Sequence, residues 1–248
     1  MRLVLFYGGK ARLRSATINV EGARLQVADC KSFVWQYYEI FYREFYFFTT
    51  TNAMPLIIDC GSNVGTSCLY FSRTYPGARI IAFEADKHIA SILNNNIRDN
   101  NLQGVEVHVA AVWTSAGEIS FAGDGADGGS ISPSGIGEMV KTIRLRDELA
   151  KHEKIDFIKM DIEGAETAVL EDCADQLNKV DALFIEYHSF IAQPQTLHKI
   201  LALLNDAGFR VNCDVQAKVN RPFVRRTIND DMDFQMNIFA SRANGKSI

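Results

Sequence analysis

Four stretches of this 248-residue chain set carboxylates or an imidazole where a bound ligand could meet them. The first is Leu56-Ile57-Ile58-Asp59-Cys60-Gly61-Ser62-Asn63-Val64-Gly65, an apolar run that ends in an acid and a glycine turn. Gly61 permits a sharp turn and close approach of backbone to a ligand, and Gly65 lets the following helix sit tightly on the strand. The second, Arg79-Ile80-Ile81-Ala82-Phe83-Glu84-Ala85-Asp86, places Glu84 25 positions after Asp59. An ionised carboxylate only accepts hydrogen bonds, and its two oxygens can take both hydroxyls of a ribose. Asp86 is the better cap for the next helix, which frees Glu84 for that role. The third stretch is Lys159-Met160-Asp161-Ile162-Glu163-Gly164-Ala165-Glu166, with Asp161 at a strand tip. The fourth, Ile185-Glu186-Tyr187-His188, adds a histidine whose unperturbed pKa near ~6.5 suits proton removal at neutral pH.

Spacing selects the nucleotide. A dinucleotide fingerprint needs glycine where Asn63 stands, so that backbone can approach a pyrophosphate. Asp-x-Gly-x-x-x-Gly suits a nucleoside without a pyrophosphate, of which S-adenosylmethionine is the common one. Asp59, Gly61, Asn63, Gly65 and Glu84 are therefore the candidate cofactor residues, together with Asp161. Ala111-Val112-Trp113 offers an apolar slot and backbone hydrogen bonds for adenine, with Trp113 either stacking on the base or packing into the core. The candidate catalytic residues are Asp161 and His188, supported by Glu163 and Glu186. Glu163 and Glu166 also suit the first turn of a helix, where the dipole favours acids. A second arrangement uses Asp161, Glu186 and His188 as ligands of Mg²⁺. Two acids and a histidine match that oxygen-seeking ion poorly, which favours direct proton transfer.

The elements that position these residues form an α/β domain. From Pro55 onward apolar runs at Leu56–Asp59, Arg79–Glu84, Val105–Val112, Ile155–Asp161 and Ala182–Tyr187 alternate with helical patterns. That alternation predicts parallel strands joined by right-handed crossovers, with helices on both faces. Arg210–Val215 and Phe234–Ser241 read as an antiparallel pair closing the sheet. Between the third and fourth strands, Gly123 to Ser130 is too poor in apolar residues to pack and reads as a mobile loop that orders over an acceptor. Thr142–Leu145 and Asp147–Glu153 read as a strand and a helix that return the chain to the sheet. Residues 1–54 form a separate addition. Strands fall around Leu3–Tyr7 and Thr17–Val27, followed by an aromatic helix with Val34, Tyr37, Tyr38, Phe41 and Phe45 at helical spacing. That stripe packs on residues 55–248, while Tyr42, Glu44 and Tyr46 are placed to close over the cofactor.

Composition narrows the class. A net charge of −4 gives no electrostatic case for nucleic acid or an anionic membrane. Arg221, Arg225 and Arg226 form the one basic cluster that an RNA-modifying enzyme would use. Five cysteines without a Cys-x-x-Cys pair fit neither a disulfide framework nor a zinc site. No apolar stretch is long enough to span a membrane, so the sequence reads as a soluble, cytoplasmic protein.

Together, Ile57–Gly65, Ala82–Asp86, Ile158–Glu166 and Ile185–His188 resemble the FkbM-type methyltransferases. The likeness runs from about Phe41 to Phe190, and Lys-x-Asp-x-Glu-Gly-Ala-Glu is its most specific part. It implies a class I, Rossmann-like, S-adenosylmethionine-dependent fold. It also implies O-methylation of a small-molecule acceptor, a hydroxyl on a sugar or other secondary metabolite. Cys60 and Ser62 depart from the Val or Ile and the Ala usual in the first turn, with compatible size. The enzymes that methylate exocyclic base nitrogens carry Asn/Asp-Pro-Pro-aromatic where this chain has Asp161-Ile162-Glu163-Gly164. A cofactor fold retained only for binding is the remaining reading, against which stand acids at four strand tips.

Asn63 and Glu84 together generate a test. S-adenosylhomocysteine is expected to raise the melting temperature, and NAD to leave it unchanged. The reverse pattern in a thermal-shift titration would assign the glycine turn to a dinucleotide.

Overall fold

The computed structural model describes residues 9, 12–123, 125, 128–131, 135, 137–221, 223–225, 227–228 and 232–242. The strand expected around Leu3–Tyr7 lies outside them. The described chain begins with a hairpin of β1 (Ala16–Val20) and β2 (Ala23–Val27). Glu21 and Gly22 turn it with φ of 47° and 79°, the left-handed pair that matches the twist of a two-residue hairpin. Asp29 then caps α1 (Cys30–Tyr37) by accepting from the Lys31 N–H at 2.8 Å. The aromatic helix continues as a π turn over Tyr38–Tyr42 and stops there, so Phe45 lies beyond it.

The nucleotide-type domain follows as β3 (Leu56–Cys60), α2 (Thr66–Thr74), β4 (Arg79–Glu84), α3 (Lys87–Asp99) and β5 (Val105–Val109). A second group comprises β6 (Ala111–Trp113), β7 (Gly117–Ala122), β8 (Ser130–Ile131), β9 (Glu138–Arg144) and α4 (Leu145–Ala150). The chain returns through β10 (Ile155–Met160), α5 (Glu166–Asp172), β11 (Val180–Phe190) and α6 (Leu197–Asp206), and ends in β12 (Phe209–Lys218) and β13 (Met232–Arg242). The main sheet has the order β12-β13-β11-β10-β3-β4-β5. Strands β11, β10, β3, β4 and β5 run parallel, and β13 pairs antiparallel with both β11 and β12. This is the mostly parallel sheet with a closing antiparallel pair that the sequence implies.

Alternate residues of the central strands feed two cores. Ile58, Ile81 and Ile158 pack with Val169 and Leu170 of α5 and Ile200 and Leu204 of α6. Ile57, Ile80 and Phe157 pack on the other face with Phe71 of α2 and Leu93 of α3. Both faces are thus covered, as parallel sheets require. The hairpin adds Ile18, Leu25 and Val27 to Phe33, Val64, Leu69 and Ile89. Among the described residues no helix is long and apolar enough to cross a membrane.

Two elements differ from expectation. The apolar run 105–112 is not one strand. Ala110 donates to the Glu84 carbonyl at 2.9 Å and ends the pairing with β4. Ala111–Trp113 then pairs parallel with β9 in a separate four-stranded sheet. The helix expected over Asp147–Glu153 instead starts at Leu145 and ends at Ala150. Its apolar side, Leu145 and Leu149, is fully buried.

Asn96 fastens the hairpin to the domain. It is 1% exposed; its Oδ1 accepts from the Gln26 N–H at 2.7 Å, and its Nδ2 donates to the carbonyls of Gln26 and Val64 at 2.8 and 2.7 Å. Asn96→Asp removes both donors while keeping the shape. Chemical denaturation is expected to show a loss of about 1–3 kcal/mol. An unchanged midpoint would show that apolar contacts alone dock the hairpin.

Candidate active site

The parallel strands β3, β4, β10 and β11 end together at one edge of the sheet, where open α/β sheets bind ligands. A cavity of about 1480 Å³ opens there. The turn after β3 is suspended from β4, because the Gly61 and Ser62 N–H groups both donate to the Phe83 carbonyl, at 3.0 and 2.9 Å. Gly61 (φ 82°) lies so close to the tip of β10 that a Cβ there would run into the Asp161 carbonyl oxygen. Asn63 is left-handed at φ 48° and sends its N–H, at 2.8 Å, to Glu84 Oε2. Glu84 Oε1 accepts from the Asp86 N–H at 2.9 Å. Two backbone donors fix the carboxylate in one orientation facing the cavity. Burial raises its pKa to about 7 even so.

Of the candidate residues, Gly61, Asn63, Glu84, Ala111, Val112, Trp113, Asp161, Glu163, Glu186 and His188 line this cavity. Asp59 and Gly65 do not line it. Asp59 is fully buried beneath the turn, where Ser67 Oγ donates to its Oδ2 at 2.5 Å and Cys68 Sγ lies 3.6 Å from the same oxygen. Gly65 (φ 88°) faces Leu93 of α3, leaving no room for a side chain. Both shape the turn instead of meeting a ligand. Of the three residues expected to close over the cofactor, Tyr46 lines the cavity, while Tyr42 is 77% exposed and neither it nor Glu44 is among the lining residues. Of the glycine-rich segment, Asp124, Ala126 and Asp127 lie outside the described residues. Gly128, Gly129 and Ser130 line the cavity.

Lys159 is the residue that sequence reasoning passed over. It is 3% exposed, and its Nζ donates to the Gly61 carbonyl at 2.5 Å. The same atom lies 3.2 Å from Asp161 Oδ2 and 3.8 Å from Asp59 Oδ1. Burial pulls its pKa down, but the charges of Asp161 and Asp59 outweigh it and hold the ammonium well above its ordinary value. Part of the signal was in the sequence, since residues two apart on a strand share a face and so set Lys159 beside Asp161; its register with Asp59 is seen only in the structure.

The imidazole of His188 lies in a nest of acids. Its Nδ1 is 3.4 Å from Glu166 Oε1, and its Nε2 is 3.5 Å from Glu163 Oε2 and 4.0 Å from Glu186 Oε1. Burial lowers its pKa, but the three carboxylates together raise it well above 6.5. Glu166 also accepts from the Ile162 and Gly164 N–H groups at 3.1 Å, so one buried carboxylate holds both the turn and the ring. Glu163 (φ 52°) and Gly164 (φ 97°) are consecutive left-handed residues in that turn, a strain of about 1–3 kcal/mol at Glu163. Glu186, hydrogen-bonded to Gln235, is raised to about 8 by burial and then by Asp161. Glu39, reaching in from the π turn, is raised to about 7, chiefly by burial. Donor atoms of Asp161, Glu163 and His188 lie within 4.8 Å of one another.

Glu84 gives a pH test. The folded protein keeps its proton up to about pH 7, against an ordinary value of 4.5. Between those values the folded state binds more protons than the unfolded state, so stability falls as pH rises through that window. The melting temperature of Glu84→Gln is expected to fall less between pH 4.5 and 7 than that of the parent chain. Parallel curves would show that Glu84 is already ionised in the folded protein.

The chain can now be set beside known proteins. The methyltransferase FkbM domain model matches residues 59–211, which takes in every strand tip of the cavity. Methyltransferase sdnD of Sordaria araneosa is 29% identical over 222 residues, covering 72% of this chain and 82% of the relative. The 2-O-methyltransferase NoeI of Sinorhizobium fredii is 28% identical over 155 residues, covering 54% of this chain and 63% of its own length. In fold, the chain is similar to the FkbM methyltransferase of Methylobacillus flagellatus, with a TM-score of 0.51, 18% identity and coverage of 82% of this chain and 47% of that one. An S-adenosylmethionine-dependent methyltransferase of Agrobacterium tumefaciens gives a TM-score of 0.54 at 11% identity, covering 94% of this chain and 72% of the other. The domain match extends over more than half the chain. On that ground the chain belongs to the FkbM methyltransferase family.

Proposed function

We propose that the chain transfers a methyl group from S-adenosylmethionine to a hydroxyl of a small-molecule acceptor, a sugar or other secondary metabolite. The observation that carries this reading is that one cavity joins Glu84 to Asp161 and His188. The donor set fits the cofactor. Glu84 offers both carboxylate oxygens already oriented by backbone, and Ala111, Val112 and Trp113 provide an apolar wall for a purine. When bound, S-adenosylmethionine supplies a methyl group already activated on a sulfonium.

The protein's own task is to hold the acceptor oxygen in line and to take up its proton, the first of which supplies several kcal/mol by proximity. Asp161 is assigned the proton. Lys159 sets its orientation at 3.2 Å, and its side chain is 24% exposed toward the cavity. His188, 3.5 Å from Glu163 and 4.0 Å from Glu186, holds these acids around the acceptor. The O-methyl assignment is supported by the name of the relative NoeI and by Asp161-Ile162-Glu163-Gly164 at the position where base-nitrogen methylation uses a proline pair. The RNA-modifying alternative rests on Arg221, Arg225 and Arg226, the last outside the described residues.

The convergence of Asp161, Glu163 and His188 favours one second reading, a divalent ion that polarises the hydroxyl. Two acids and an imidazole match Mg²⁺ poorly, since that ion prefers oxygen. The direct route is therefore the conclusion. Activity is expected to persist in excess chelator, and Asp161→Asn to lower turnover by about 10²–10⁴. Loss of activity in chelator with rescue by Mg²⁺ or Mn²⁺ would install the metal reading in its place.

A further inference from the structure

Charge is unevenly spread around the cavity. Among its described lining residues, Glu39, Glu84, Asp86, Asp161, Glu163 and Glu186 bring carboxyl groups. Lys159 is engaged by Asp161, Asp59 and the Gly61 carbonyl. The other ammonium and guanidinium groups of the lining, those of Lys31 and Arg12, stand together at the start of α1. Arg12 is anchored there. Its Nε lies 3.0 Å from Oδ2 of the buried Asp29, and its Nη1 donates to Ser32 Oγ at 2.7 Å. The side chain is still 48% exposed, so the anchor orients the guanidinium without burying it. Lys31 is exposed, and among the described residues no carboxylate pairs with its ammonium.

This basic corner lies on the side of the glycine turn. Glu84 Oε2 accepts from the Asn63 N–H, and Val64, the next residue, packs with Phe33 of α1. Phe33 directly follows Ser32, the partner of Arg12. S-adenosylmethionine carries two cations, a sulfonium and an ammonium, and one anion, its α-carboxylate. The acids of the cavity suit the cations and repel the anion. An oriented guanidinium beside an ammonium suits the carboxylate, through charge-assisted hydrogen bonds. We propose that Arg12 and Lys31 hold the α-carboxylate of the cofactor. Both residues precede the stretch 59–211 that the family model matches, so the N-terminal segment completes a site which that stretch leaves open at one end. The proposal rests on the methyl-transfer reading above and adds to it two cofactor contacts outside the glycine turn and the strand tips.

The test compares two ligands that differ in the carboxylate alone, S-adenosylhomocysteine and its decarboxylated analogue, which keeps the amine. In calorimetric titration the full parent chain is expected to bind S-adenosylhomocysteine the more tightly. Lys31→Gln leaves Arg12 on Asp29 and is expected to weaken S-adenosylhomocysteine binding about tenfold, the scale of one charge-assisted hydrogen bond. Arg12→Gln is expected to weaken it at least as much. Both variants are expected to bind the decarboxylated analogue as the parent does, a result that a merely structural role for either residue would not give. Equal affinity of the parent for the two ligands would overturn the proposal. So would S-adenosylhomocysteine binding unchanged by Lys31→Gln, or a parallel loss of both ligands in that variant. A parent chain that binds neither ligand is a separate result, which would remove the methyl-transfer reading itself.

Discussion

A single ammonium group, that of Lys159, ties the two halves of the site together. Burying an unpaired cation is among the most costly things a fold can do, so its partners are fixed as firmly as it is. Its hydrogen bond to the Gly61 carbonyl fixes the turn after β3, while Asp161, just past the end of its own strand, and Asp59 on the next balance its charge. The close approach of Gly61 to the tip of β10 follows from this, since a side chain at position 61 would push the turn off the lysine. The turn after β3 and the tip of β10 are therefore one electrostatic unit. Movement at either end changes the solvation of the same ion.

The rest of the acid cluster shows how a sheet edge can concentrate like charge without tearing itself apart. Parallel strands bring their tips side by side, so Asp161 and the residues following Ile185 are neighbours by register. The resulting repulsion and burial keep protons on Glu186 and Glu39 to about pH 8 and 7. His188 lies among the acids, 3.4 Å from Glu166 and 3.5 Å from Glu163. Glu166 spends both its oxygens on holding backbone, which lets a left-handed pair at Glu163 and Gly164 persist.

The strand–helix alternation and the strand ends near Glu84 and Asp161 were legible because apolar runs and their terminal acids are local features, whereas β11 runs past the expected end at Tyr187 to Phe190 and holds His188 within it. What escaped was whatever depended on partners across the sheet. Lys159 reads as an ordinary interruption of an apolar run until its register with Asp59 is known. His188 reads as a neutral base until Glu163, Glu166 and Glu186 are seen around it. Asp59 looks like a ligand group because it ends a strand, yet Ser67 and Cys68 of the following helix claim its carboxylate from below. The run 105–112 looks continuous because both halves are apolar, and only pairing partners distinguish a strand that stays from one that leaves.

That departure at Ala110 has a mechanical meaning. The small sheet of β6 to β9 is attached to the main sheet at its start by a single residue's change of partner, and at its end by α4. Between those joints the sheet is seated on the main core, where Val112 packs with Ile58 and Ile81. The strand ends near Glu84 and Asp161 and the border of the same cavity at Phe121 and Ser130 thus belong to different sheets. A change in the peripheral sheet alters that border without touching the pairing of β3 with β4 and β10.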